Sequence, residues 1–141
     1  MRYLLLVISI FLTVGCTSVK VKPLEASLEV SHVAIKRNSK VIVEEFLPLL
    51  QKKFNEHGIT TEVFDENAPK NYSIILTYTA LQSWDFSTYL SHAEISLTNS
   101  DFKEVASAEY HLIGKGGMSF MKWQSVETKI SPVIDELLVQ Y

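Results

Sequence analysis

Thiols, long apolar runs and an excess of positive charge are what this sequence lacks. Cys16 is its only cysteine, so no intrachain disulfide can form, whatever the redox state of its compartment. If that cysteine is committed elsewhere, a thiol nucleophile and a cysteine-based zinc site are excluded as well. The longest apolar stretch, Leu4 to Val14, is interrupted only by Ser9 and Thr13. It falls well short of the about 20 residues that cross a bilayer as a helix. Thirteen Lys and Arg stand against 16 Asp and Glu, a formal charge of −3. No basic excess points to nucleic acid or to an anionic surface. The motifs of common chemistries are also missing: no G-x-S-x-G elbow, no H-E-x-x-H, no EF-hand loop and no P-loop spacing.

What is present begins at the amino terminus. Arg2 supplies a positive start, Leu4 to Val14 an apolar core, and Leu12-Thr13-Val14-Gly15-Cys16 a small-residue end. Those three features in that order read as an export signal. The end resembles the lipobox of bacterial lipoproteins. The resemblance implies cleavage after Gly15, a diacylglyceryl group on the Cys16 thiol, and acylation of the new amino terminus. Several acyl chains make a stable anchor where one does not. In the sorting rule of such proteins Asp after the cysteine retains them in the inner membrane, so Thr17 implies the outer membrane. Loss of Arg2 with the signal takes the formal charge from −3 to −4. The expected organisation is a signal at 1–15, a lipidated terminus and polar tether at 16–23, and one domain at 24–141 large enough to bury a real core.

Periodicity sketches that domain. Alternation around Leu28 to Ile35 predicts a strand at about residues 28–36. Val43, Phe46, Leu47, Leu50 and Phe54 form a helical stripe, predicting a helix over 41–57 that bends at Pro48 and ends before Gly58. Ile59 to Phe64 is a short Thr-rich strand. Tyr72 to Trp84 is apolar on both faces and suits a central strand. Residues 89–98 and 103–113 predict a hairpin with a two-residue turn at Ser100-Asp101, so that Ile95 opposes Ala106 and His92 opposes Glu109. Val126, Ile130, Val133, Ile134, Leu137 and Leu138 mark a second helix, with Pro132 as a kink or a start. The order β-α-β-β-β-β-α predicts an α+β two-layer sandwich, mostly antiparallel, with both helices on one face.

Two stretches carry candidate chemistry. His92, Glu94, Glu109 and His111 share the polar face of the hairpin. They are suited to acid–base work or to holding zinc. The favoured reading is an ordinary solvated face with no metal and no cofactor, because a metal centre needs a concave, supported setting. Gly114, Lys115, Gly116 and Gly117 could form an anion-binding nest, and equally a tight strand-to-helix connection. Met118, Phe120, Met121 and Trp123 follow. They pack over the core or, if exposed, offer an apolar surface to a partner or to acyl chains. Trp84, Phe86 and Tyr89 form an aromatic turn, read as a small satellite cluster in preference to an exposed recognition tip.

Tyr78-Thr79-Ala80-Leu81 with Ser83-Trp84-Asp85, Ser91-His92-Ala93-Glu94, Ala108-Glu109-Tyr110-His111-Leu112, Gly114-Lys115-Gly116-Gly117, Lys122-Trp123-Gln124 and Pro132 to Leu138 together resemble a family of short, uncharacterised proteobacterial lipoproteins. The resemblance implies an envelope lipoprotein and no particular activity. The expectation is an outer-membrane-anchored, periplasm-facing accessory or binding subunit. It is not an enzyme, touches the membrane through its lipid, has an envelope protein as partner and binds no nucleic acid. The alternatives are a small metal-dependent or acid–base enzyme on the His/Glu face, and a carrier of a lipid or other apolar ligand.

Overall fold

The computed structural model describes residues 17–117 and 119–141. The segment expected to be an export signal, Cys16 and Met118 lie outside the described residues. The elements are β1 (Thr17–Lys22), β2 (His32–Lys36), α1 (Phe46–Glu56), β3 (Thr60–Phe64), β4 (Ile74–Asp85), β5 (Ser87–Asn99), β6 (Glu104–Leu112) and α2 (Val126–Leu137), with short 3-10 turns at Ala26–Leu28, Ile113–Gly116 and Phe120–Trp123. The fold is α+β. Six strands form one mixed sheet in the order β1-β6-β5-β4-β2-β3. From β1 to β4 neighbours are antiparallel, while β2 is parallel to both β4 and β3. The parallel part follows from α1, because a helical crossover returns the chain to the same end of the sheet before β3. The sheet is mixed, with antiparallel pairings in the majority as expected, three against two.

The segment expected to be a short polar tether is a strand. Thr17 to Lys22 pairs along its length with β6, from Thr17 opposite Leu112 to Lys22 opposite Ser107. Its own alternation explains this. Val19 and Val21 fall on the same side as Tyr110 and Ala108, while Lys20 and Lys22 face the other way. The order is thus β-β-α-β-β-β-β-α, one strand more than predicted.

The strand predicted from residue 28 starts only at His32. Glu29 adopts a left-handed conformation (φ 48°) after the 3-10 turn. The carboxy terminus takes the nearby donors: Ala26 N–H donates to the Gln140 side chain (2.9 Å), and Val30 N–H to the Tyr141 hydroxyl (3.2 Å). Those groups are thereby withdrawn from any ladder.

Nor does α1 require a bend at Pro48. The helix begins at Phe46, which places Pro48 in the first turn. There its missing N–H has no intrahelical partner to lose. Phe46, Leu49, Leu50 and Phe54 form the buried stripe. Gly58 (φ 77°) follows the helix end, as the sequence predicts. In α2 the Ser125 side chain accepts from Thr128 N–H (3.1 Å), an ordinary amino-terminal cap. Pro132 sits inside this helix, so it neither starts it nor ends it.

The core takes one side of the antiparallel strands. Leu76 opposes Leu97, Tyr78 opposes Ile95, and Ala80 opposes Ala93 across β4 and β5. Leu97, Ile95 and Ala93 in turn oppose Ala106, Ala108 and Tyr110 of β6. All of these are buried. The buried stripe of α2 (Ile130, Val133, Ile134 and Leu137) and that of α1 join the same core, with Phe46 stacked on Tyr78.

One ionic cluster fastens α1 to α2. Asp135 Oδ1 accepts from Lys53 Nζ (2.7 Å) and His57 Nε2 (2.9 Å). Partial burial opposes the Asp135 charge, but the hydrogen bonds from Lys53 and His57 outweigh it and hold the carboxyl below its ordinary range. Its stabilising contribution is full above the unfolded value of about 3.9 and is lost as pH falls through the lower folded value. The carboxylate is half exposed, so Asp135→Asn should destabilise the protein by no more than about 1 kcal/mol at pH 7. Urea melts should show this difference shrinking below about pH 4. A difference that persists undiminished at about pH 2, below the ordinary carboxylate range, would show that packing, not charge, is its source.

Candidate functional site

The polar face of the sheet is built by β1, β6 and β5. In these strands every second side chain points away from the core. His92, Glu94 and Ser96 come from β5, Ser107, Glu109 and His111 from β6, and Ser18, Lys20 and Lys22 from β1. The sequence assigns these residues to one face correctly, but their pairing is displaced by two positions. His92 lies opposite His111, and Glu94 opposite Glu109; Ile95 faces Ala108 rather than Ala106. A longer turn supplies one position of the shift, and a β-bulge that leaves Val105 of β6 without a partner between Leu97–Ala106 and Thr98–Glu104 supplies the other. The turn is not a two-residue one at Ser100-Asp101. The Asn99 amide donates to Lys103 O (3.0 Å), the Asn99 side-chain oxygen accepts from the amides of Asp101 and Lys103, and Phe102 takes a left-handed conformation (φ 59°).

The four candidate residues meet. His92 Nε2 donates to Glu94 Oε1 at 2.8 Å. Nδ1 of His92 lies 3.3 Å from Nδ1 of His111, with the rings edge-on at 71°. His92, Glu94 and Glu109 each bring one ligand atom within 4.8 Å of the others. Glu109 also faces Lys20 at 3.7 Å.

A second feature lies at one end of the sheet, where the structure departs from expectation. Trp84 and Phe86 do not form a satellite cluster. They are exposed at the β4–β5 tip, 74% and 88%. Phe86 occupies the turn itself in a left-handed conformation (φ 59°). Of the glycine-rich segment, Phe120 and Met121 are exposed at 84% and 62%, whereas Trp123 packs against the core. Gly114 and Gly117 take positive φ, and Ile113–Gly116 forms a 3-10 turn, so the stretch is a connection from β6 toward α2. Lys115 and Gly116 belong to that turn.

Asp85 ties the two exposed stretches together. Its carboxylate accepts from Lys122 Nζ (2.5 Å), and its backbone carbonyl accepts from the Trp123 indole N–H (3.1 Å). Lys122 is itself buried, with its ammonium also donating to Gly117 O (3.2 Å) and lying 4.5 Å from the Trp123 ring centroid. Lys129 is buried beside it and donates to Leu90 O (3.0 Å) and to Lys122 O. Burial holds the Lys129 ammonium below its ordinary pKa. The sequence carries little sign of these lysines. Its one hint is the placement of Lys122 between Met121 and Trp123.

An apolar groove of about 420 Å³ runs between β1 and α2, lined by Thr17, Val19, Tyr110, Met121, Pro132 and Val133 among others. It places the first described residue beside Met121. The strand register agrees with that placement. Thr17 pairs with Leu112 next to the His111–His92 pair, towards the end of β5 that begins at Ser87. The start of β1, the Phe86 tip and the Phe120–Met121 turn therefore share one end of the sheet. Among the described residues no helix is long and apolar enough to cross a membrane.

No protein-family model matches this chain, and no curated protein sequence does. Its fold class is that of two solved structures. The chain is similar to PelC from Paraburkholderia phytofirmans, solved as a dodecamer. Against a point variant of that protein in space group C2 the TM-score is 0.57 at 11% identity, covering 86% of this chain and 93% of that one. Against the dodecamer in space group P6 it is 0.55 at 10% identity, covering 86% and 94%. At that identity the likeness establishes a shared fold and nothing more.

Proposed function

We propose that this chain is a bacterial envelope lipoprotein, anchored through Cys16 in the outer membrane and facing the periplasm, where it serves as a non-enzymatic accessory or binding subunit. One observation carries the reading. β1 begins at Thr17, at the end of the sheet that exposes Trp84, Phe86, Phe120 and Met121. A lipid on the preceding residue has no slack and draws that end against the bilayer. Exposed aromatic and sulfur side chains are otherwise unfavourable in water, and they suit the membrane interface. The polar β1-β6-β5 face then rises away from the membrane and is open to a partner. Membership in the resembled lipoprotein family belongs to this proposal. So does the two-layer arrangement with both helices on the buried side of the sheet, which the single apolar face of β4, β5 and β6 supports.

The orientation is testable with brominated lipids, which quench tryptophan at the interface. In vesicles carrying the full-length lipidated chain, Trp84 should supply most of the quenching, because Trp123 packs against the core. Trp84→Phe should therefore abolish most of it. Equal quenching in that variant, or none in the unaltered chain, would assign the tip to a protein partner instead.

A further inference from the structure

The His/Glu cluster on the polar face has no part in membrane attachment, and its geometry asks for a ligand. The two ring nitrogens that face each other, Nδ1 of His92 and Nδ1 of His111, are 3.3 Å apart. Two ligands of one tetrahedral ion, bonded at about 2.0–2.1 Å, are separated by about 3.4 Å. The His92 tautomer is set by its other nitrogen. Nε2–H donates to Glu94 at 2.8 Å, which leaves Nδ1 with a lone pair directed at His111. A carboxylate on the far nitrogen is the usual support of a metal-ligating histidine; it fixes the tautomer and raises the basicity of the ligand. The rings meet edge-on rather than stacked, so both lone pairs can converge on one point. Glu109 brings a carboxylate oxygen within 4.8 Å of a ring nitrogen of His92 and of the Glu94 carboxylate. Its cation, Lys20, is 3.7 Å away and mostly exposed, and so is easily displaced.

We propose that His92 and His111, with a carboxylate oxygen of Glu109, bind a divalent first-row transition ion on the outer face of β5 and β6, and that Glu94 is the positioning residue for His92. Two imidazoles and a carboxylate suit Zn(II), Cu(II) or Ni(II) rather than Mg(II) or Ca(II). The fourth position is open to water or to a donor from a partner. The site also accounts for two histidines placed directly opposite each other on adjacent strands, where a hydrogen bond alone requires one ring to keep a proton on Nδ1.

The test is calorimetric titration of ZnCl₂ into the full-length chain in detergent, prepared without a histidine tag. Co(II) absorption reports the coordination number. The expected result is one ion per chain and a four-coordinate Co(II) spectrum. His92→Ala and His111→Ala should each weaken binding at least about tenfold, and Glu94→Gln about 10–100-fold. Lys20→Ala should tighten it by releasing Glu109. His32→Ala and His57→Ala should leave it unchanged, since those rings engage Thr60 and Asp135 elsewhere. All the substituted side chains of the cluster lie on the polar face, and circular dichroism checks that each variant is folded. Absence of stoichiometric binding, or unaltered affinity in His111→Ala, overturns the proposal. Neither outcome bears on lipid attachment, which does not involve these residues.

Discussion

Replacing Cys16 with serine is expected to abolish incorporation of labelled palmitate and to remove the chain from the outer-membrane fraction. This is the largest effect expected of any single substitution. The thiol is the only one in the chain, so no other residue can accept a thioether-linked lipid. The apolar end of the sheet cannot substitute for it. A single myristoyl chain gives only marginal, reversible membrane binding, and the exposed side chains of Trp84, Phe86, Phe120 and Met121 reach no deeper than the interface. In the proposed arrangement the lipid supplies attachment and the aromatic end supplies orientation. The two contributions separate experimentally: Trp84→Phe leaves palmitate labelling intact and changes only bromolipid quenching. Labelling that persists in Cys16→Ser, or an unaltered chain that never takes up label, defeats the lipoprotein reading. It would leave the fold and the His/Glu cluster untouched.

How much of this is readable in the sequence depends on whether the cause is local. Alternation is local. It places β4, β5 and β6 and sorts their faces, so that His92, Glu94, Glu109 and His111 are grouped correctly. Register is not local. It depends on a turn closed by the Asn99 side chain with Phe102 in a left-handed conformation and on a bulge at Val105, and nothing in Asn99 to Val105 singles out that pair of features over a shorter, regular hairpin. The displacement of two residues preserves the facing and replaces a His–Glu pair with a His–His pair, which is the difference between an ordinary surface contact and converging nitrogens. β1 escapes a sequence reading because six polar and β-branched residues make a strand only when the edge of β6 is there to receive them. The exposed tip escapes it for a related reason. Apolar character argues for burial, but Trp84 and Phe86 lie where β4 turns back into β5 and project beyond the core.

The buried lysine could not be anticipated either, because its partner lies on the β4–β5 hairpin, far away in sequence. Lys122 and Asp85 are 37 residues apart, and the pair pins the Phe120–Trp123 turn to the β4–β5 tip. Asp85→Ala should lower stability by about 2–3 kcal/mol, since it leaves a buried ammonium with only a carbonyl and the faces of Trp123 and Tyr89 for company. The figure lies below the usual range for a broken buried pair because the Asp85 side chain is 43% exposed, and water can partly replace it. For a domain of this size that loss corresponds to a melting temperature lower by about 5–12 °C. Lys122→Met keeps most of the apolar stem and removes the charge, so it should be milder. The double variant should be closer to Lys122→Met than to the sum of the two single changes. A coupling of about 1 kcal/mol or more is expected. Strict additivity would mean that the Asp85 and Lys122 side chains do not interact. The coupling also has a functional consequence. With Lys122 released, the turn bearing Phe120 and Met121 loses its fixed place beside Phe86. Membrane-bound Asp85→Ala should then keep its palmitate while bromolipid quenching of Trp84 weakens.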